Sequence, residues 1–329
     1  MRVKSDAALR LAVTHKCRFL WPVALVPFLV QALCGQSLAP RAYLITPVGS
    51  NAVTVTSTLY TGDILFDSTS PLSDASGRVS LVVPTYYHAF DFFGHSANVT
   101  MGLPYSVGSF RALVVNQEQT AYRSGIGDAA IRFSVNLAGG PGMKVPQFLK
   151  WKQKRLLGAS LLVSLPTGQY DPTLLINIGS NRWAFKPELG YSQRLGNWLV
   201  DVYGGVWFFT ANPEFFSRNS YFAGTRPQTQ APVGVMEGHL SYDFKPGVWV
   251  SADGNFWYGG RTTLDGVQNP SSLQRNSRVG GTAAVRVSLH QSIKFSYARG
   301  AYIRFGGDYQ AFSVAWQYGW ISGRSRSSK

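Results

Sequence analysis

The chain has 329 residues, of which only 14% are charged and 14% aromatic, with 34 glycines and a formal charge of +15. A soluble domain carries about 25% charged residues, a helical membrane protein needs apolar runs of about 20 residues, and a disordered chain is poor in aromatics. The composition excludes the last two and argues against the first, leaving ample apolar surface and no long apolar run after the first forty residues.

The chain opens with Arg2, Lys4, Arg10, Lys16 and Arg18 against the single acid Asp6, followed by the apolar stretch Phe19 to Val30 and a small-residue exit around Ala32 and Cys34. A basic start, a short apolar centre and small residues at the exit describe a secretory signal peptide. Residues 1–34 are read as that segment, with cleavage between 34 and 39. Two prolines and the short apolar stretch argue against a membrane anchor. Both cysteines, Cys17 and Cys34, go with it, so the exported chain has no disulfide and no thiolate metal ligand. Removal takes five basic residues and one acid, which lowers the charge from +15 to about +11.

Over the expected barrel, 43–320, segment after segment alternates with period two, the mark of strands with unlike faces. Twelve candidate strands follow in order: 51–62, 78–89, 96–107, 125–138, 156–166, 181–194, 198–210, 232–244, 248–259, 277–288, 292–303 and 310–320. In the last, Phe312, Val314, Trp316, Tyr318 and Trp320 alternate with Ser313, Ala315, Gln317 and Gly319. The connections alternate long and short, so the strands run up and down with decorated loops at one end. One connection breaks that rule. Residues 139–155 carry Lys144, Lys150, Lys152, Lys154 and Arg155 where a short turn belongs, and are read as a basic periplasmic insertion. Residues 321–329 form a polar, basic tail.

These features predict an all-β fold: a transmembrane antiparallel β-barrel of about twelve strands, with short periplasmic turns and longer external loops. A soluble sandwich or lipocalin-like barrel shares the period. Scarce charge and aromatics near strand ends (Trp183, Tyr191, Trp198, Phe208, Phe209, Trp249, Tyr258, Trp320) favour a lipid-facing outer surface with an aromatic girdle.

Residues 177–190 read Asn-Ile-Gly-Ser-Asn-Arg-Trp-Ala-Phe-Lys-Pro-Glu-Leu-Gly. With Gly125-Ile126-Gly127-Asp128, Leu165-Pro166-Thr167-Gly168-Gln169-Tyr170-Asp171, the run Tyr258 to Val267 and Asn276 to Gly280, this resembles the outer-membrane transporter family labelled for the meta-pathway of phenol degradation. The resemblance spans nearly all of the exported chain. It implies a barrel in the outer membrane of a Gram-negative bacterium, linked to small, often aromatic or apolar compounds.

Other chemistry is weaker. Gly125 to Ala130 fits a G-x-G-x-x-A pattern, but an alternating strand follows where a dinucleotide site needs a helix. His88, His95, His239 and His290 lack metal-ligand spacing. His239 shares the polar face with Glu237, Ser241 and Asp243, yet residues two apart on a strand stand about 7 Å from each other, too far for a triad within one strand. No enzyme, metal or cofactor is expected, and the spread of basic residues does not describe a nucleic-acid surface. Charges on the strands are better placed toward a wet interior, because Arg or Lys facing mid-bilayer lipid costs roughly 2–4 kcal/mol. The expected lining is Lys186, Glu188, Asp201, Glu237, His239, Asp243, Trp249, Asp253, Trp257, Arg278, Arg286 and Lys294.

The function expected is passive passage of small, aromatic or hydrophobic molecules. A non-conducting barrel for envelope integrity, or a lipolytic barrel, is the alternative. Expected partners are outer-membrane lipid and lipopolysaccharide, a small solute, and a periplasmic protein at 139–155.

Overall fold

Unlike faces along each strand become the two sides of one closed wall. A computed structural model describes residues 38–65, 72–114, 117–174, 176–216 and 224–322. The expected signal peptide over 1–34 and most of the basic tail lie outside the described residues. Twelve strands build the wall: β1 (Ser50–Leu65), β2 (Leu72–Phe92), β3 in two segments (His95–Gly102 and Tyr105–Val114), β4 in two segments (Gln117–Ile126 and Ala130–Ala138), β5 (Arg155–Ser164), β6 (Ala184–Leu195), β7 (Trp198–Phe209), β8 (Val233–Lys245), β9 (Val248–Gly259), β10 (Gln274–Arg286), β11 (Gln291–Tyr302) and β12 (Gly306–Ile321). Each pairs antiparallel with its neighbours in sequence. β1 also pairs with β12, from Ser50 opposite Ile321 to Leu65 opposite Gly306, and this seam closes the barrel. A closed sheet has no free edge, as a spanning sheet in lipid requires.

The outward parity is apolar. On β9, Val250, Phe256 and Tyr258 are exposed, while Trp249, Ser251, Asp253, Asn255 and Trp257 between them are buried. On β12, Phe312, Trp316 and Tyr318 face out while Ala311 and Ala315 face in. Two residues expected in the girdle belong inside instead. Trp249 is buried on the inner face, and Phe209 stacks on the buried Trp207. Their positions near strand ends suggested a girdle, but their parity turns them inward.

A strand of twelve residues rises about 40 Å, enough to cross a bilayer at the usual tilt. β2 is 21 residues long and exceeds it. Its Leu72–Val82 half pairs with the Tyr105–Val114 segment of β3, which in turn pairs with the Gln117–Ile126 segment of β4. Much of the connection read as a loop over 108–124 is therefore a hairpin continuing the wall outward. β3 breaks at Leu103-Pro104, where proline offers no donor and its carbonyl instead accepts Gly127 N–H at 2.8 Å.

At the opposite end the turns are short, and residues 139–155 cross beneath the wall with one helical turn, α1 (Val145–Phe148). Met143 and Phe148 pack with Leu44, Ile45, Leu156 and Leu199, so the insertion is tied to the chain that precedes β1. Its lysines remain exposed.

Candidate functional site

The segment that precedes β1 does not follow the wall. Residues 38–49 run inside the barrel as an irregular strap, and Ala39, Arg41, Ala42, Tyr43 and Ile45 are buried. Their partners are inward side chains from many strands. Arg41 N–H reaches Asp201 Oδ2 at 3.3 Å, and its guanidinium pairs with Asp243 Oδ1 at 2.8 Å while lying 4.2 Å over the ring of Trp249. Ala42 N–H donates to Tyr203 Oη at 3.0 Å. Tyr43 Oη donates to Glu188 Oε1 at 3.0 Å and meets Ser160 Oγ at 3.0 Å. Thr46 Oγ1 meets Tyr87 Oη at 2.7 Å near the root of the strap.

Two glycines make the seat. Gly158 on β5 and Gly190 on β6 are paired in register, and the ring of Tyr43 packs against both, one edge toward each. A Cβ at either would overlap that ring, so any larger residue excludes Tyr43.

Above the seat, charged groups cross the interior from strand to strand. Arg132 of β4 reaches Glu188 of β6 at 3.1 Å and Ser160 of β5 at 3.1 Å. Lys186 Nζ lies 2.7 Å from Glu188 Oε2 and 3.8 Å from Glu237 Oε1 on β8. His239 stands 3.7 Å from Glu237 and 2.9 Å from Asp253 on β9. Asp253 also accepts from Thr282 Oγ1 on β10 at 2.8 Å. Register explains the chain of contacts. His239 sits directly opposite Asp201 on one neighbour and Asp253 on the other. All are buried. Buried charges persist when paired and hydrogen-bonded, and breaking one pair is expensive because its partner stays behind.

Of the expected lining residues, Lys186, Glu188, Asp201, Glu237, His239, Trp249, Asp253, Trp257 and Arg278 are buried on the inner parity. Asp243 lies toward the periplasmic end, holding Arg41 and, at 2.6 Å, Arg194. Arg286 ends β10 beside the turn at Gly247 and is not in the ladder. Lys294 is half-buried and borders a cavity. His239 engages two carboxylates, and among the described residues no serine bonds to it. Arg132, Tyr203 and Trp207 belong to the same interior and were missed by the sequence reading. Their parity was the available signal: Arg132 alternates with the outward Ile131 and Phe133, and Tyr203 and Trp207 share parity with Asp201.

The recurring motif blocks meet at the external end. Asp128 accepts hydrogen bonds from Gly168 N–H at 2.9 Å and from Ser180 N–H at 2.9 Å and Oγ at 2.5 Å. Gln169 N–H donates to Ile126 O at 2.8 Å. These bonds lay the 165–183 loop onto the bend of β4. Arg182, packed over Phe209 at 4.5 Å, has its guanidinium lowered by burial to about 10 and remains a cation at neutral pH.

Comparison with known proteins bears on both the wall and these motifs. The family model described as "Putative MetA-pathway of phenol degradation" matches residues 48–318. No curated protein matches the sequence. Among solved structures, the COG4313 outer membrane channel from Pseudomonas putida F1 superposes with a TM-score of 0.71 at 18% identity, covering 85% of this chain and 99% of that one. The β domain of the Bordetella autotransporter BrkA gives 0.48 at 12% identity, covering 83% and 100%, too distant to carry an argument. The fold is thus a transmembrane barrel of the outer-membrane type.

Proposed function

The chain belongs to this MetA-pathway family, and on that premise we propose that it is an outer-membrane channel for small aromatic or hydrophobic molecules, held closed by its own N-terminal strap. One observation carries the reading: Tyr43 occupies a seat that two facing glycines leave empty, with charged neighbours arranged to hold the strap there. A barrel that only strengthened the envelope would gain more from filling Gly158 and Gly190 with wall side chains. In this reading the lining consists of Lys186, Glu188, Asp201, Glu237, His239, Asp243, Trp249, Asp253, Trp257, Arg278, Arg286 and Lys294. Aromatic solutes are favoured by Trp207 and Trp249, whose buried indole N–H groups find no hydrogen-bond partner among the described residues.

The test is conductance of the purified protein in planar bilayers, with and without residues 38–47. Deletion is expected to raise single-channel conductance several-fold. Equal, near-zero conductance in both folded proteins would favour the non-conducting alternative, for which the continuous ladder across the interior is the supporting observation. The exposed lysines of 139–155 support a surface for an acidic periplasmic partner, and pull-downs with those lysines changed to glutamine address it.

A further inference from the structure

Among the described residues, part of the interior beside the strap is open. A cavity of about 90 Å³ lies between Leu38 of the strap and the inner faces of β1, β2, β10, β11 and β12. At about 10–15 Å³ for each water by this measure, it holds several. Its sides differ in chemistry. On the β1 and β2 side stand Tyr60, Leu81 and Val83, part of a buried apolar cluster. On the β10 and β11 side stand Arg278, Lys294 and the hydroxyls of Thr282 and Ser296, 3.2 Å apart.

The charges do not cancel. The one carboxylate bordering the cavity among the described residues, Asp253, already holds His239 Nδ1 at 2.9 Å and Thr282 Oγ1 at 2.8 Å. Arg278 donates to Gly307 O at 3.2 Å and lies 5.9 Å from the Trp257 ring. Lys294 makes no hydrogen bond or ion pair among the described residues, and Asp253 acts on it only through space. A half-buried ammonium with no directly bonded carboxylate is costly to hold away from water, and an anion entering the cavity lowers that cost. A bare inorganic ion would satisfy the cations but would leave the apolar side wet.

We infer that this cavity binds a small amphipathic anion, a carboxylate carried on an aromatic or alkyl body, with its head toward Lys294 and Arg278 and its body against Tyr60, Leu81 and Val83. The inference rests on the channel reading above and names the chemical class of its solute. The head exchanges water for charge-assisted hydrogen bonds, which are about twice as strong as neutral ones. The body gains apolar contact that a simple salt anion lacks.

Calorimetric titration of the full-length protein in detergent tests this with sodium benzoate, benzyl alcohol and sodium acetate. Benzoate is expected to bind about tenfold more tightly than either of the others, since each 1.4 kcal/mol of added interaction is tenfold in affinity. Lys294→Met should weaken benzoate about tenfold and leave benzyl alcohol unchanged, while Lys294→Arg retains benzoate binding. Folding of each variant is checked by heat-modifiable migration on gels, with Lys294→Gln read in place of a methionine variant that does not fold. Equal binding of benzoate and benzyl alcohol overturns the anionic head. Equal binding of benzoate and acetate overturns the apolar body, and an unchanged Lys294→Met overturns the site. Binding in micelles does not require conduction. Benzoate bound by a non-conducting barrel therefore rejects the channel reading alone, and conduction without benzoate preference rejects this inference alone.

Discussion

The two halves of the barrel interior are built on opposite plans. From β4 to β9 the inward side chains form a ladder of long charged groups, its carboxylates shared by two or more partners, beside a buried apolar cluster of Leu162, Trp207, Val233, Val235 and Trp257, and the strap lies against the ladder. From β10 through the seam to β2 the inward side chains are mostly short hydroxyls, alanines and a small apolar cluster, with open space among them and two cations, Arg278 and Lys294, at its border. Thr58 and Ser313 across the seam need only each other, at 2.8 Å. Under the proposed function, one wall is the dock for the strap and the other is the passage. A ladder of paired charges fixes geometry and resists rearrangement, whereas a lining of small groups leaves room for a guest.

Gly190→Leu attacks the contrast at its centre and has the largest expected effect. A side chain there cannot coexist with the Tyr43 ring, so the strap is displaced and conductance should approach that of the deletion lacking residues 38–47. Planar-bilayer recordings that stay at the wild-type level, from a barrel shown to be folded, would remove the idea that Tyr43 is seated there. Next is Glu188→Gln, which leaves Arg132, Lys186 and the Tyr43 hydroxyl without their shared anion. Removing one member of a buried pair costs about 3–5 kcal/mol. The transition from folded to unfolded gel mobility should fall by several degrees, and a transition within a degree of wild type would show that lumen water replaces the carboxylate. Asp128→Asn touches neither half and should be smallest. It weakens three accepted hydrogen bonds from the 165–183 loop, worth about 1–3 kcal/mol together. Limited proteolysis should cut that loop faster while barrel melting is unchanged.

What the sequence made legible follows from where lipid lies. A strand in the bilayer must put apolar groups on every second position, and the twelve alternating segments correspond to the twelve strands of the wall. Outside the bilayer that demand lapses. The stretch Gln117-Glu118-Gln119-Thr120 is polar on both faces, which is why the outer hairpin of β3 and β4 read as a loop. The strap was illegible for a related reason. Residues 38–49 have no period because their contacts come from many different strands, and only the closed barrel brings those together. Parity could assign Glu188 and Lys186 to the interior. It could not pair them with Arg132 and Glu237, since pairing depends on the stagger between strands.

The root of the strap is clamped at the seam. Gly49 N–H donates to Ala89 O at 2.9 Å, and Gly49 O accepts from Ser322 N–H at 2.8 Å and from Asn51 Nδ2 at 2.8 Å. Under the proposed function, a strap released over residues 38–43 stays attached at the seam on a leash of about 12 residues, or at most about 40 Å. Its return is an intramolecular event with an effective concentration on the order of millimolar. Diluting the protein will not keep it open, and a free peptide copied from the strap will compete only when supplied at comparable concentration.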